Sequence, residues 1–536
     1  MNLVKDPWLP FRLRSGEETV LPICAICDPE VVDFALPRAD FQGAAYQFAI
    51  GLLQTVFAPV DRFEWKELYT KLPSSEELQK AFDKVEHAFN VVGEGPLFMQ
   101  DFDALTDVKE VPVTGLLIDA PGGNALKLNT DHFVKRDSCN VLSLEMAVIA
   151  LFTLQVNAPA GGQGHRTGLR GGGPLTTLIM PQSNEESLWQ KLWLNIINRE
   201  FFKYPDPDLH SANLFPWLGK TKTSEEKGTE TYHSDVHELH VYWAMPRRIR
   251  LTIKNIECEC GLTGKNSPYT VSTYRTLNYG YNYAGTWAHP LTPYKWFPKT
   301  PEKDHLSLKG QPGGVTYKTW DALTLVGESK KGKEGQIPAR VVKAYSALFS
   351  AKVSDMMVET PRLWAFGYDM DNMKARCWYS VAMPLFVVEP EVQEDVLIVV
   401  KEVQELAQNC LWQCRTQVKS AWFEKPSDVK GDFSFVDLAF WQRTESQFFK
   451  TVQSVIDNSL EGGPDLSPLQ ADDWLKCLRF VVEDIFDEFA LSELGTARST
   501  AKRIKARRAL SGWLYGGKQI KNFIKENRID SLKEAN

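Results

Sequence analysis

From about residue 392 onward, apolar residues recur three or four apart in four runs: Val392–Phe423, Phe435–Leu460, Leu469–Phe489 and Leu494–Tyr515. That spacing gathers the apolar positions on one stripe of each helix. Pro426, Gly462-Gly463-Pro464 and the Leu491-Ser492 neighbourhood interrupt the runs. Four helices with short connections predict an antiparallel four-helix bundle. Before residue 390 the pattern is mixed. Residues 1–60 read as a short strand, a loop and a helix, with Asp40 as N-cap and Pro59 as the stop. A charged helical pattern falls near Glu76–Phe89, and a second helix is expected through Trp189 and Trp193. Arg248–Ile253 alternates with period two, which predicts a strand with one basic face. The expected class is α+β: a large mixed N-terminal domain over residues 1–390, followed by the C-terminal four-helix bundle over 391–536.

One stretch of the first domain breaks both patterns. Val141–Ala160 is an apolar run of about five helical turns. It feeds a loop in which Gly161, Gly162, Gly164, Gly168, Gly171, Gly172 and Gly173 fall within thirteen residues. Glycine at that density permits positive φ and close approach of main chain to a ligand. The loop is not a P-loop, because no Gly-Lys-Ser/Thr follows. It is not a dinucleotide fingerprint either, since Thr167 fills the third glycine place and the preceding segment reads as a helix. His165, Arg166 and Arg170 add potential positive charge, which suits a polyanion such as a nucleic-acid backbone.

Length and charge narrow the possibilities. A chain of 536 residues exceeds a single core, so two or three domains are expected. No apolar run reaches a membrane span, and Met1–Pro10, with Lys5, Asp6 and two prolines, does not read as a signal peptide. Nine cysteines without a framework point to a reducing, cytoplasmic setting. A net charge of −7 argues against a protein coated in nucleic acid but leaves room for a local basic face. The last helix supplies one. Arg498, Lys502, Arg503, Lys505, Arg507 and Arg508 follow one another with no acid between them, which predicts contact with DNA phosphates or with an acidic partner.

The candidates for metal or catalytic chemistry are thin. His233 and His237 stand four apart, with His240 beyond, but Ser234 replaces the glutamate of His-Glu-x-x-His. Cys258 and Cys260 are weak metal candidates, and no cofactor is expected. A nucleotide- or metal-dependent hydrolase using the glycine loop and the histidines is the alternative reading. It lacks a P-loop lysine, a ligand set and paired carboxylates at interpretable spacing. A non-enzyme is therefore expected.

Asn157-Ala158-Pro159 through Thr176-Thr177 resembles the glycine-loop region of the CasA family, the large subunits of the type I-E Cascade complex of CRISPR immunity. Asp6-Pro7-Trp8-Leu9-Pro10, Leu36-Pro37-Arg38-Ala39-Asp40, Trp287-Ala288-His289-Pro290 and Phe366–Lys374 resemble other family stretches in the right order. The resemblance implies a subunit that reads a short flanking motif (the PAM) in double-stranded DNA from the minor groove. It also implies that the subunit wedges the duplex open and docks a helicase–nuclease after R-loop formation. The implied partners are CRISPR RNA, target DNA and the other Cascade subunits: the backbone, small and 5′-handle-binding ones. On this resemblance Gly161, Gly162, Gln163, Gly164 and His165 read the motif, and Gln163 replaces a glycine, so the motif preference is expected to differ from that of relatives. Phe133, Val134 and Lys135 contact the guide RNA, with Arg136 beside them. Asp371, Asn372, Met373 and Lys374 form the wedge. The family's minor-groove lysine finger maps to the Tyr274–Trp287 stretch, which holds no lysine, so Arg275 and Asn278 take its place. Some relatives build a four-cysteine zinc site from the Cys258 region and the start of the central helix, where this chain has Ser143 and Met146.

Overall fold

The computed structural model describes residues 1–121, 127–128, 139–159, 161–162, 164–328, 334–349, 360–371, 374–429, 431–492 and 497–531. The described chain divides into two compact units. The first takes in residues 1–310, 334–349 and 360–382, and the second 311–328 and 383–531.

The first unit opens with a three-stranded antiparallel sheet, β1 (Leu9–Leu13), β2 (Glu18–Leu21) and β3 (Val31–Phe34), with β1 in the middle. Helix α1 (Ala39–Val56) then runs through the core and is buried over most of its length. Its N-cap is Arg38 rather than Asp40. Asp40 sits in the first turn, where its carboxylate is taken by Arg38 Nε and Nη2 (2.9 and 3.0 Å) and by the Tyr368 hydroxyl. The central apolar run forms α2 (Leu144–Asn157), capped by Ser143, whose Oγ accepts from Met146 N at 3.3 Å. It is apolar all round because it is buried all round, as a core helix must be. Its buried Gln155 is satisfied on both ends, donating to Met99 O and Arg247 O and accepting from Arg247 N. Phe48, Phe89, Phe98, Phe152, Trp217 and Trp243 interlock beside these helices at edge-to-face and stacked angles.

Downstream come β4 (Thr176–Met180), β5 (Arg248–Lys254), the short hairpin strands β6 (Cys258–Glu259) and β7 (Asn266–Ser267), β8 (Thr270–Leu277) and β9 (Leu306–Ser307). A long hairpin follows, β10 (Arg362–Asp371) and β11 (Lys374–Pro384). The basic face expected of β5 is turned inward. Arg248 Nε donates to Asp101 at 2.6 Å, and Arg250 Nη1 donates to Asp101 O at 2.9 Å.

His240 gives this core a pH dependence. It is fully buried between Asn213 O (3.1 Å) and the Tyr283 hydroxyl (3.0 Å), and burial pushes its pKa down to about 4. The folded pKa lies below the unfolded value near 6.5, so folding favours the neutral ring. Its stabilising effect is complete above pH ~6.5 and is lost as pH falls toward 4, by roughly 3 kcal/mol. The melting temperature is therefore expected to drop steeply between pH 6.5 and 4. The variant His240→Gln should show a shallower fall, and parallel curves for the two proteins would exclude His240 as the source.

The second unit contains α3 (Gln393–Trp422), α4 (Ser434–Glu461), α5 (Pro468–Phe486), α6 (Ala497–Gly516) and α7 (Lys518–Glu526). The first four are the helices the apolar spacing predicts, and the chain is α+β as expected. Helix α5 starts with a capping box between Ser467 and Gln470 and proline at its first position, then ends in a π-turn over Asp487–Leu491. Helix α7 is an addition. Gly516-Gly517 reads as a terminus, but Ile520 and Phe523 are buried, so the glycines join two helices instead. The unit also recruits Tyr317, which stacks on Phe448 (4.1 Å between centroids) and bonds Thr444 (2.8 Å).

Candidate nucleic-acid interface

The glycine loop leaves the C-terminus of α2 and returns to it. Gly168 N donates to Ala158 O (3.1 Å), and Gly173 N donates to Asn157 O (3.3 Å). These bonds satisfy carbonyls at the helix end. Between them, Gly161 and Gly162 are exposed, and Gly162 and Gly164 take φ of +82° and +74°. Tyr279 N donates to Gly164 O at 2.7 Å. A Cβ on Gly164 would stand 2.8 Å from that of Asn278, which places Asn278 against the loop. Gln163 lies outside the described residues, as do Phe133, Val134, Lys135, Arg136, Asn372 and Met373.

The loop's cations do not present the positive surface expected of them. Arg170 is 4 % exposed and serves as the loop's anchor. Its Nη1 donates to Thr176 and Thr292 (3.0 and 3.1 Å), and its Nη2 donates to Gln47 and Val156 O (2.8 and 3.1 Å). Burial pushes its pKa down to about 10, so it remains charged at neutral pH. Arg166 is engaged by Ser224 Oγ and O (2.8 and 2.6 Å). Burial and the neighbouring Arg247 lower the pKa of His165, which favours the neutral ring. Among the described residues of 161–170, only Gly161 and Gly162 are exposed, and there the exposed surface is main chain.

The long hairpin meets this loop. Strands β4 and β10 pair antiparallel, from Thr176↔Phe366 to Met180↔Arg362. The segment upstream of Thr176 therefore runs toward the hairpin tip. Gly173 (φ +60°) lies so close that a Cβ there would be 2.4 Å from Met370 Cγ. A Cβ on Gly367 would be 2.6 Å from Pro174 O. A third segment closes the junction, with bridges Pro174↔Lys309 and Gly310↔Asp369 just after β9. Near its tip the hairpin's two strands are tied by Arg376 Nη2, which donates to Asp369 at 2.6 Å. Asp371 and Lys374 flank the tip and are exposed.

Arg275 is a poor finger. It lies within β8, and its Nη2 donates to Glu110 at 2.8 Å. An exposed cation upstream of it is Lys265, at the turn of the β6–β7 hairpin. This turn is closed by Cys260 N to Lys265 O (2.9 Å) and Gly264 N to Cys260 O (2.8 Å), and it is tied to the start of the central helix by Gly261 N to Val141 O (2.9 Å). Gly261 and Gly264 between two short polar strands are the turn signal that marks it in the sequence.

The weak metal candidates do not assemble. Cys260 is buried beside Cys139, whose thiol is pushed up to about 11 by burial and by that neighbour. Ser143 is occupied as a helix cap. His233 opens one 3-10 turn and His237 caps the next, so they do not share a helix face, and His237 bonds Pro205 O and Leu239 N. Among the described residues no three histidine, cysteine or acidic side chains come together as a metal would need, so a four-thiolate zinc does not fit.

On α6, two of the basic residues are consumed within the unit. Arg507 Nε donates to Asp487 (2.7 Å) and its Nη1 to Glu483 (3.0 Å), while Lys502 pairs with Glu424 (3.4 Å). The acids absent from this helix come from its neighbours. Lys505 and Arg508 stay exposed, and Arg503 has a partner of its own. The side chain of Arg498 lies outside the description. Helix α7 adds exposed Lys518, Lys521 and Lys525. Residues 497–531 hold ten lysines and arginines against two acids, a local +8 in a chain whose total is −7.

The fold defines an α+β protein with exposed main chain and a long hairpin in a mixed domain, followed in sequence by a helical unit with a basic end. Residues 2–485 match the model of the CRISPR-associated protein Cse1 family, and the chain belongs to that family. It shares its fold with Thermobifida fusca Cse1 (16% identity, TM-score 0.65, 99% of this chain and 98% of that one). It also shares it with Thermus thermophilus CasA (14% identity, TM-score 0.65, 96% and 99%). A chain of a CRISPR RNA-guided surveillance complex matches similarly (15% identity, TM-score 0.63, 95% and 99%). No described helix is long and apolar enough to cross a membrane.

Proposed function

We propose that this chain is the non-catalytic large subunit of an RNA-guided DNA-surveillance complex. It reads a short motif in duplex DNA from the minor-groove side, starts strand separation beside it and provides the docking surface for a helicase–nuclease. One observation carries this reading. The strand leaving the glycine loop is hydrogen-bonded along its length to the strand rising to the hairpin tip, so motif contact and wedging share one rigid seat. Exposed glycine main chain suits the minor groove, whose edge pattern is degenerate and whose floor is reached only by a thin probe. Protein then reads the motif while guide pairing reads the rest.

Within this reading the minor-groove finger is Lys265 rather than Arg275, because Lys265 is exposed on a turn and Arg275 is held by Glu110. Asn278 supports the loop from beneath. Phe133, Val134 and Lys135 remain the proposed contact to CRISPR RNA, Gln163 the motif reader, and Asp371 to Lys374 the wedge. The free cations of α6 and α7 contact DNA phosphates.

The test is reconstitution with CRISPR RNA and the other subunits, followed by strand opening on duplexes carrying a library of flanking motifs. Opening should depend on the motif and on this chain. Lys265→Ala should weaken duplex binding about tenfold, the size of one lost charged contact, while Arg275→Ala should lower thermal stability instead. Opening that is independent of the motif, or that proceeds without this chain, would sink the proposal.

A further inference from the structure

We propose that Lys309 holds a backbone phosphate of the DNA at the junction between the glycine loop and the hairpin. The inference rests on the reading above and adds a contact that neither the glycine stretch nor the hairpin tip supplies.

Lys309 sits where three segments meet. Its backbone bridges Pro174 at the end of the loop, and the next residue, Gly310, bridges Asp369 on the hairpin. Its ammonium lies over the main chain of the loop, with Nζ 3.1 Å and Cε 3.6 Å from the point a Cβ on Gly171 would occupy. Gly171 has φ of +76°, so this close approach depends on glycine twice, for its conformation and for its missing side chain.

Three nearby arginines are engaged: Arg170 by Gln47, Thr176 and Thr292, Arg376 by Asp369, and Arg38 by Asp40 and Asp119. Lys309 is exposed, and among the described residues its ammonium has no carboxylate partner. Crowding by the surrounding chain lowers its pKa by desolvation, and no acid offsets that effect. An ammonium that is partly stripped of water and unpaired gains most from an anion arriving from outside. A lysine is a compact point charge on a flexible stem, which fits one phosphate and reads no base. A strand passing from the exposed loop toward the hairpin tip crosses this position, so the contact would pin the backbone just before the duplex parts.

The experiment uses the assembled complex and measures duplex affinity across a salt series for several flanking motifs. Lys309→Gln removes the charge while keeping a slightly shorter polar side chain, and should weaken binding about fivefold to tenfold for every motif alike. It should also reduce the salt slope by about one unit, the signature of one phosphate. Lys309→Glu should weaken binding further, and Lys309→Arg should restore most of it. Gly171→Ala, which leaves the lysine in place but displaces its ammonium, should resemble Lys309→Gln. An unchanged salt slope in Lys309→Gln, in a complex that still opens duplexes, overturns the inference and leaves the proposed function standing. An altered motif preference also overturns it, because a phosphate contact carries no sequence information. A wild-type complex that does not open duplexes in a motif-dependent way removes the broader reading instead.

Discussion

Arg170→Ala should destabilise the first unit by about 3 kcal/mol and release the glycine loop from its seat. The guanidinium is buried and makes four bonds, to two threonine hydroxyls, a glutamine oxygen and a carbonyl. Bonds to a charged group contribute roughly 1.5–3 kcal/mol each, and orphaned buried acceptors cost roughly 1–3 kcal/mol. The opposing effect is relief of desolvation, since no carboxylate neutralises Arg170 and burial has pushed its pKa down to about 10. That relief amounts to a few kcal/mol at most, less than the four bonds together, so the loss wins. Arg170→Met fills the space and drops the charge, and should lose less than alanine. Arg170→Lys cannot fork to both threonines and Gln47, and should not restore stability. Chemical denaturation of the purified protein reads the ordering, and limited proteolysis reads the loop. Wild-type stability in Arg170→Ala would mean that the loop is held by its backbone bonds alone.

Arg170 also marks where sequence reading stops. Apolar spacing is a local property, so the four long helices of the second unit were legible with ends correct to within a few residues. The α+β class followed from the same contrast. Charge is not local. The arginines of Arg248–Ile253 read as a solvated basic face until Asp101, from a distant segment, appears beneath them. The basic run of α6 reads as wholly unpaired until Glu483 and Asp487, from α5 and the π-turn after it, and Glu424, just past α3, are supplied from elsewhere in the unit. Arg275 reads as a free finger until Glu110 meets it across the sheet. Spacing of His233 and His237 suggested one helix face because the 3-10 turns that separate them carry no apolar signature. Glycine and the hairpin were different. Backbone freedom at Gly161–Gly173 and the turn near Asp371 are written in residue type, and the structure brings these two stretches, nearly two hundred residues apart, to one junction. The Lys265 turn is equally legible in its glycines, just upstream of the tyrosine-rich stretch that the resemblance assigns to a finger.

Gly173→Ala should cut duplex opening at least tenfold while leaving binding to the flanking motif within about threefold. In the proposed function these two steps are separated in space. Motif contact is assigned to the exposed turn at Gly161 and Gly162, whereas Gly173 lies at the other end of the loop, against the hairpin. Its φ of +60° costs an alanine roughly 1–2 kcal/mol. Its Cβ would also stand 2.4 Å from Met370 Cγ and 3.1 Å from Tyr368 O. The methionine side chain can move, but the carbonyl belongs to the strand that carries the wedge, so the hairpin must shift relative to the loop. Opening needs the tip held against the duplex that the loop has engaged, and a displacement of about 1 Å in a positioned group costs on the order of a hundredfold. Met370→Ala placed in the Gly173→Ala protein removes the nearer clash and should recover part of the opening, a coupling that independent sites would not show. Base-analogue fluorescence beside the motif reads opening directly, and filter binding reads affinity. Equal loss of both in Gly173→Ala, with no recovery in the double variant, would mean that the loop has simply unfolded and that the seat joining reader and wedge does not act as one body.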